Sequence, residues 1–156
     1  MTEPLRLLIV DDDPGHREIC RRFLARHADH NYDVVEAAMG SEGLALCRTV
    51  APDCILLDYH LPDLDGLAFL KALEGECDGV PFPVIMMTGG GNDMLMEEAM
   101  RAGATGYLSK ELMSPECLGR AVGHAVETFS QTSHGDLISM RHLSHTPVPG
   151  FQPGVR

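Results

Sequence analysis

The chain is short of positive charge and of long apolar segments, and each shortage excludes a class of protein. Lysine and arginine supply 12 of the 156 residues against 23 aspartates and glutamates, so the formal net charge is −11. A surface of this sign repels phosphate backbones and disfavours direct binding to nucleic acid. No apolar run approaches the ~20 residues of a membrane-spanning helix, so membrane insertion is not expected. The first residues lack the basic and apolar regions of a secretory signal, which favours a cytoplasmic protein.

The number and spacing of the cysteines do not indicate a set of disulfides. Their number is odd and no two have C-x-x-C spacing, so the sequence predicts neither disulfides nor a zinc site. Four of the five lie in apolar segments, where a reduced thiol serves as a small apolar side chain. A catalytic cysteine is the less favoured interpretation. The five are Cys20, Cys47, Cys54, Cys77 and Cys117.

Three continuous apolar runs, at residues 7–10, 54–57 and 84–87, predict strands that are buried on both faces. Each run is too short for a buried helix and is followed at once by polar residues or glycine. Runs without alternation are typical of parallel sheets. Two weaker strands are predicted at residues 33–37 and 106–109.

Helical patterns separate these strands. Asp13 is a predicted N-cap with proline at the first helical position after it, and Asn92 is a second predicted cap. The chain therefore alternates strand and helix five times, which predicts a (βα)₅ doubly wound α/β fold with its functional site at the carboxyl ends of the strands. The remaining helices are expected over residues 41–50, 67–74 and 114–129.

The composition changes after residue 130. Residues 131–156 hold three prolines, three glycines and three histidines but only one acidic residue. We interpret residues 1–130 as the folded domain and residues 131–156 as a poorly ordered tail, with a short helix near residues 137–143 as an alternative for part of it.

Polar residues stand at the predicted carboxyl ends of four strands. Clustered carboxylates need a cation, and hard oxygen ligands suit Mg²⁺. A lysine and a hydroxyl can hold phosphoryl oxygens, and a lone aspartate can accept a phosphoryl group as an acyl phosphate. Of the acidic residues, Asp13 is better explained as a helix cap. The residues are Asp11, Asp12 and Asp13 after the first strand, Asp58 after the third, Thr88 after the fourth and Lys110 after the fifth.

The ordered segments LLIVDDD, LLDYHLPDLDG, MMTGGG and YLSK resemble the receiver domain of bacterial two-component response regulators. The resemblance covers about residues 5–130, and its most specific part is Asp58-x-x-x-Pro62-x-x-x-Gly66. It implies a flavodoxin-like sheet of strand order 2-1-3-4-5. It also implies a phosphorylation-dependent signalling switch, either a single-domain response regulator or a phosphorelay shuttle, whose output is contact with a downstream protein. Such a chain is not an enzyme beyond slow self-phosphorylation from small donors and self-dephosphorylation.

The resemblance also implies a role for each site residue. Asp58 accepts the phosphoryl group from a histidine kinase or a histidine phosphotransfer protein. Asp12, Asp58 and the backbone carbonyl of His60 ligate Mg²⁺, and Asp11 acts through a bound water. We interpret the side chain of His60 as an exposed loop residue rather than a ligand.

Three further roles concern the phosphoryl group and its readout. Thr88 and Lys110 contact the phosphoryl oxygens, and Tyr107 occupies the position of an aromatic switch.

Glu111 departs from the family, which commonly has proline there in a cis peptide. A non-proline cis bond costs ~3 kcal/mol, so we expect a trans bond or an altered loop.

Four arginines, Arg17, Arg21, Arg22 and Arg26, form a basic cluster on the first helix. They are equally well explained as a solvated face, with Glu18 pairing to Arg22, or as a docking surface for an acidic kinase or phosphotransfer partner.

Two other functions compete with the switch. A haloacid-dehalogenase-like phosphatase would use Asp11 as nucleophile and Asp13 as acid, but no further acidic pair follows Lys110 as such enzymes need. A degenerate receiver that serves as a scaffold is the third hypothesis, and Glu111 keeps it open.

Overall fold

Strands and helices alternate along the chain. The structure, a computed structural model, describes residues 3–27, 31–75, 79–90 and 93–143. The strands within these residues are β1 (Leu5–Val10), β2 (Tyr32–Ala37), β3 (Cys54–Asp58), β4 (Val84–Thr88) and β5 (Gly106–Ser109). The helices are α1 (Pro14–Arg26), α2 (Gly40–Val50), α3 (Gly66–Glu74), α4 (Asp93–Arg101) and α5 (Pro115–Leu143).

The five strands form one parallel sheet in the order β2-β1-β3-β4-β5, which confirms the predicted fold. The strand order changes direction between β1 and β3, because β2 lies on one side of β1 whereas β3, β4 and β5 follow on the other side. Ligands of doubly wound sheets bind outside the carboxyl ends of the strands at such a point. Asp11 directly follows β1, and Asp58 is the last residue of β3, so two of the predicted site residues flank this position.

Two apolar layers cover the two faces of the sheet. In β1, Leu8 and Val10 belong to a cluster with residues of α2, α3 and α4, whereas Leu7 and Ile9 belong to a cluster with residues of α1 and α5. Every residue of β3 and β4 is buried. This burial on both faces explains why these strands carry unbroken apolar runs rather than alternating ones.

Aspartates fix the starts of three helices. Asp13 Oδ1 accepts the Gly15 N–H at 2.9 Å at the start of α1, which confirms its predicted capping role. Asp65 Oδ1 accepts the Ala68 N–H at 2.8 Å at the start of α3. Asp63 caps a different helix from a distance, because its two oxygens accept the first backbone N–H groups of α2 at 2.8 Å each. The loop after β3 is therefore attached to α2 as well as to α3.

The last helix is longer than the sequence predicts. The apolar pattern predicts an end near residue 129, whereas α5 continues to Leu143. The chain divides into one compact unit up to residue 126 and a second unit from residue 127, which contains the last part of α5. Residues 144–156 lie outside the described residues, as do Cys77, Gly91 and the predicted cap Asn92. The division into a receiver domain and a tail remains a prediction.

The described cysteines are free thiols, and Cys20, Cys47 and Cys54 are buried. Burial raises the pKa of each of these three thiols to about 12, so none is a thiolate near neutral pH. This agrees with their interpretation as small apolar side chains. Among the described residues, no helix is both long and apolar enough to cross a membrane.

Gly66 is the glycine of the motif that follows Asp58, and the packing around it leaves no room for a side chain. A Cβ at this position would lie 2.5 Å from Met86 Sδ and 3.1 Å from Tyr59 Cα. We expect Gly66→Ala to lower the free energy of unfolding by about 1–3 kcal/mol, as overpacking of a core does.

Urea denaturation followed by circular dichroism measures this loss. Gly123→Ala is the matched control, because Gly123 lies within α5 and a Cβ there would meet nothing within 4 Å. It should stabilise the protein by about 0.5–1 kcal/mol, since alanine favours a helix over glycine. Equal stability of Gly66→Ala and the wild type would contradict the packing argument.

Candidate functional site

Three carboxylates meet at the carboxyl edge of the sheet. Oxygen atoms of Asp11, Asp12 and Asp58 all lie within 4.8 Å of one another. Asp11 is fully buried and Asp58 is 5% exposed, whereas Asp12 is exposed to solvent. A group of oxygen ligands of this kind can hold a divalent cation.

Lys110 is the positive charge placed among these carboxylates. It follows β5, and its Nζ lies 3.1 Å from Asp11 Oδ2 and 3.1 Å from Asp58 Oδ2. Burial alone would lower the pKa of this ammonium, but the two carboxylates outweigh that effect and raise it. Lys110 is therefore charged and bridges the two buried carboxylates.

The same surroundings move the pKa values of the two carboxylates in opposite directions. Burial and the negative charge of Asp11 raise the pKa of Asp58, and Lys110 only partly offsets them. Burial would also raise the pKa of Asp11, but hydrogen bonds from His16, from the Asp13 backbone and from Lys110 lower it to about 2. The protein therefore stabilises the ionised form of Asp11. The negative charge of an ionised Asp58 is only partly offset by its surroundings.

His16 was not identified from the sequence. It is 9% exposed, and its Nδ1 lies 2.6 Å from Asp11 Oδ2. His16, Cys20 and Leu24 form the buried side of α1 at intervals of four residues. This spacing could have indicated His16 from the sequence, because a histidine on an otherwise apolar, buried helix face needs a polar partner.

Thr88 and Tyr107 form a second group beside the carboxylates. The Thr88 hydroxyl donates to the Gly90 carbonyl at 2.8 Å and lies 2.8 Å from the Tyr107 hydroxyl. Within the described residues, Thr88 is hydrogen-bonded to these partners rather than to a site carboxylate. The structure thus joins the predicted phosphoryl ligand Thr88 directly to the predicted switch residue Tyr107.

The loop after β3 is shaped by the motif that follows Asp58. The Gly66 N–H donates to the Tyr59 carbonyl at 2.7 Å, and the His60 N–H donates to Asp58 Oδ1 at 3.3 Å. The His60 side chain is exposed and meets the Tyr59 ring edge-on. This agrees with its interpretation as a loop residue and leaves its backbone carbonyl as the predicted ligand.

The segment after Lys110 differs from the usual family pattern in the expected way. The peptide bonds of the described residues are all trans, including the one between Lys110 and Glu111. Lys110 begins a short 3₁₀ helix that extends to Leu112. Lys110 is therefore followed by a trans bond to Glu111 and still contacts both carboxylates.

The four arginines of α1 do not share one role. Arg17 Nε lies 2.8 Å and Arg21 Nε 3.2 Å from the Glu36 carboxylate of β2. Arg17 Nη1 also donates to the Asp11 carbonyl at 2.6 Å, so Arg17 belongs to the framework of the site. Arg22 pairs with Glu18 within the helix, at an exposed position.

Known proteins share both this sequence pattern and this fold. Residues 7–122 match the family model described as the response regulator receiver domain. This chain belongs to that family. The receiver is 35% identical over 147 residues to the response regulator MprA of Mycolicibacterium vanbaalenii, a match that covers 93% of this chain and 62% of that protein. Receiver domains of two-component response regulators are typically switches rather than enzymes.

Two other relatives support the assignment of this receiver. It is 30% identical to the DNA-binding dual master transcriptional regulator RpaA of Synechocystis, over 91% of this chain and 59% of that protein. A CheY-like receiver domain protein from Methanospirillum hungatei has a TM-score of 0.71 and 26% identity, covering 83% of this chain and 99% of that one. The receiver thus spans about three fifths of the length of MprA and RpaA.

The raised pKa of Asp58 predicts an unusual pH dependence of stability in the receiver. The folded protein holds the Asp58 proton to higher pH than the unfolded chain does, so the free energy of unfolding should fall as pH rises from about 4 through the raised pKa. Asp11 acts in the opposite sense at lower pH. Because its pKa is about 2, its stabilising contribution is complete above about pH 4 and is lost as pH falls toward 2.

Melting temperatures in EDTA, recorded from about pH 4 upward, test this expectation. With rising pH the wild type should lose stability relative to Asp58→Asn, which lacks the titrating carboxyl group. Parallel curves for the two proteins would contradict the assignment to Asp58.

Proposed function

We propose that Asp58 accepts a phosphoryl group from a phosphohistidine of a histidine kinase or a histidine phosphotransfer protein, and that the receiver passes the signal on by contact with a downstream protein. The observation that carries this proposal is the environment of Asp58. Its carboxylate is buried at the carboxyl edge of the sheet, beside two other carboxylates and 3.1 Å from a lysine ammonium.

The donor set fits Mg²⁺. Three carboxylates and one ammonium leave two negative charges, and carboxylate oxygens are hard ligands of the kind this ion prefers. Asp12, Asp58 and the backbone carbonyl of His60 would hold the ion, with Asp11 acting through a water. When bound, Mg²⁺ would neutralise charge on the transferred phosphoryl group.

The proposed transfer changes one bond at each side of the phosphorus atom. An oxygen of Asp58 forms a bond to phosphorus while the bond from phosphorus to the donor imidazole breaks, and the electron pair of that bond stays with the imidazole. Asp58 becomes an acyl phosphate and loses its carboxylate charge. Lys110, which bridges Asp11 and Asp58, can then turn to a phosphoryl oxygen.

The contact between Thr88 and Tyr107 supports a route from phosphorylation to the surface. A phosphoryl oxygen that accepts the Thr88 hydrogen would compete with the Gly90 carbonyl, which accepts it at 2.8 Å. Because the Thr88 hydroxyl also contacts the Tyr107 hydroxyl, a movement of Thr88 would change the position of the tyrosine ring. Such a pair forms a two-state element that one covalent charge can bias.

Incubation of the wild type with Mg²⁺ and acetyl phosphate tests the proposal, with intact mass as the measurement. We expect one phosphoryl adduct that is lost at alkaline pH, as an acyl phosphate is, and that does not form in EDTA. No Mg²⁺-dependent adduct would favour the scaffold hypothesis, and an adduct stable to alkali would rule out an acyl phosphate. From such small donors the reaction should be slow, since the receiver is proposed as an acceptor rather than an enzyme.

We also propose that the exposed part of α1 contributes to docking of the phosphodonor protein. Arg17 and Arg21 pair with Glu36 of β2, which ties them to the sheet edge. Arg22 pairs only with Glu18 of its own helix, and Arg22 and Arg26 lie at exposed positions nearer the end of α1. Opposite charges on two partners raise the rate at which they meet.

Arg22→Glu should slow phosphotransfer from the donor protein by about tenfold and leave phosphorylation by acetyl phosphate unchanged. Arg48→Glu, an exposed arginine of α2, is the matched control and should affect neither reaction. Rapid-quench measurements with both donors separate the two effects. Equal slowing with both donors would contradict docking, because acetyl phosphate needs no protein surface.

A further inference from the structure

The Asp11 carboxylate is surrounded by three hydrogen-bond donors. Its Oδ1 accepts the Asp13 N–H at 2.9 Å, and its Oδ2 lies 2.6 Å from His16 Nδ1 and 3.1 Å from Lys110 Nζ. The Asp13 N–H and the Lys110 ammonium can only donate, so both oxygens of Asp11 act as acceptors, as those of an ionised carboxylate do. The hydrogen between Asp11 and His16 therefore belongs to Nδ1 of His16.

His16 is buried at a position from which it can orient this carboxylate. It lies in the first turn of α1, is buried beneath the helix, and its Nδ1 is 3.8 Å from Cys20 Sγ on the next turn. Arg17, the next residue, donates to the Asp11 carbonyl at 2.6 Å. Within the described residues Nε2 of His16 is buried without a hydrogen-bond partner, so the polar contacts of the ring are directed to the Asp11 side.

We propose that His16 is a positioning residue, which fixes the Asp11 carboxylate for Mg²⁺ binding and remains its donor when Lys110 turns to a phosphoryl oxygen. A carboxylate offers about four acceptor positions. The Asp13 N–H uses one position on Oδ1, and His16 and Lys110 use both positions on Oδ2. The remaining position is on Oδ1, so His16 determines which oxygen of Asp11 is left for a metal-bound water.

The second part of the proposal rests on the proposed function. Lys110 is shared between Asp11 and Asp58 at equal distances of 3.1 Å, so its movement toward a phosphoryl group would take a donor from buried Asp11. An ionised carboxylate that loses a donor in a buried site is destabilised. His16 contacts Asp11 independently of Asp58, and therefore keeps Oδ2 hydrogen-bonded in both states.

A spectroscopic measurement on the wild type tests the hydrogen bond itself. Long-range ¹H–¹⁵N correlation in the ¹⁵N-labelled, metal-free protein reports which ring nitrogen of His16 carries hydrogen. We expect hydrogen on Nδ1. A bare Nδ1 would overturn the proposal, because His16 would then have nothing to donate to Asp11.

Two variants test the positioning role through the Mg²⁺ dissociation constant, measured by isothermal titration calorimetry without a phosphoryl donor. His16→Leu removes the donor and should weaken Mg²⁺ binding by about tenfold, as loss of a residue that orients a metal ligand does. His16→Asn places an amide N–H near the position of Nδ1 and should restore most of the affinity. His124→Leu, at an exposed histidine of α5, is the matched control and should bind Mg²⁺ as the wild type does.

Unchanged affinity in His16→Leu would overturn the proposal. Equal weakening in His16→Leu and His16→Asn would also overturn it, because packing and not donation would then matter. If His16→Leu does not fold, the ring measurement on the wild type and the affinity of His16→Asn against His16→Met decide the question. Failure of the proposed function is seen separately, as absence of the acetyl phosphate adduct in the wild type.

Discussion

Asp58→Asn is expected to abolish the Mg²⁺-dependent phosphoryl adduct that acetyl phosphate forms with the wild type. Asparagine keeps the size of the side chain but has no carboxylate oxygen to form an acyl phosphate. The variant should remain folded, because burial and the charge of Asp11 already disfavour the ionised form of Asp58. Intact mass spectrometry after incubation with the donor measures the adduct directly.

Asp33→Asn is the matched control for this variant. Asp33 is an exposed carboxylate near the amino end of β2 that pairs with Arg6 at 3.7 Å, away from the carboxyl ends of the strands, and its replacement should leave the adduct unchanged. Asp11→Asn provides the test against the phosphatase hypothesis. If the adduct survives in Asp58→Asn and is lost in Asp11→Asn, Asp11 is the nucleophile and the receiver proposal is wrong at this residue. The capping bond of Asp13 to Gly15 argues against its use as the acid of such an enzyme.

Lys110→Met is expected to lower the free energy of unfolding in metal-free buffer by about 3 kcal/mol, the typical cost of removing one partner of a buried ion pair. Both Asp11 and Asp58 would lose a partner at 3.1 Å and would repel each other without a cation between them. Mg²⁺ should recover part of the loss, since a divalent ion replaces the missing charge. Urea denaturation in EDTA and in Mg²⁺ measures both effects.

The chain offers a matched control, because its one other lysine, Lys71, is exposed on α3. Lys71→Met should change the free energy of unfolding by less than about 0.5 kcal/mol, with or without Mg²⁺. Coincident urea curves for Lys110→Met and the wild type in EDTA would show that Lys110 does not hold the two carboxylates together.

The fold could be predicted because the central strands of a parallel sheet appear in the sequence as short, continuous apolar runs. The runs at residues 54–57 and 84–87 are apolar throughout, since both faces of β3 and β4 are covered by helices. The main part of the site followed from the same argument. Once the strands are placed, Asp58 and Lys110 must lie at one edge of the sheet, and the structure brings them to 3.1 Å.

Two features could not be predicted for physical reasons. The contact of His16 with Asp11 depends on how the first turn of α1 folds back against the end of β1, and helical spacing places His16 only on the buried face. The length of α5 was underestimated because apolar periodicity marks the side of a helix that packs, not its end. Residues 130–143 contain no proline, and the first proline after Pro115 is Pro147, beyond the end of α5 at Leu143.

The hydrogen bonds of Asp63 separate its role from that of the site carboxylates. This exposed carboxylate lies five residues after Asp58 and accepts the backbone N–H groups of Gly40 and Ser41 at 2.8 Å each. The acidic residue at this position therefore caps the start of α2 and is no part of the metal site. Replacement of Asp63 should therefore loosen the start of α2 and leave the carboxylates of Asp11 and Asp12 in place.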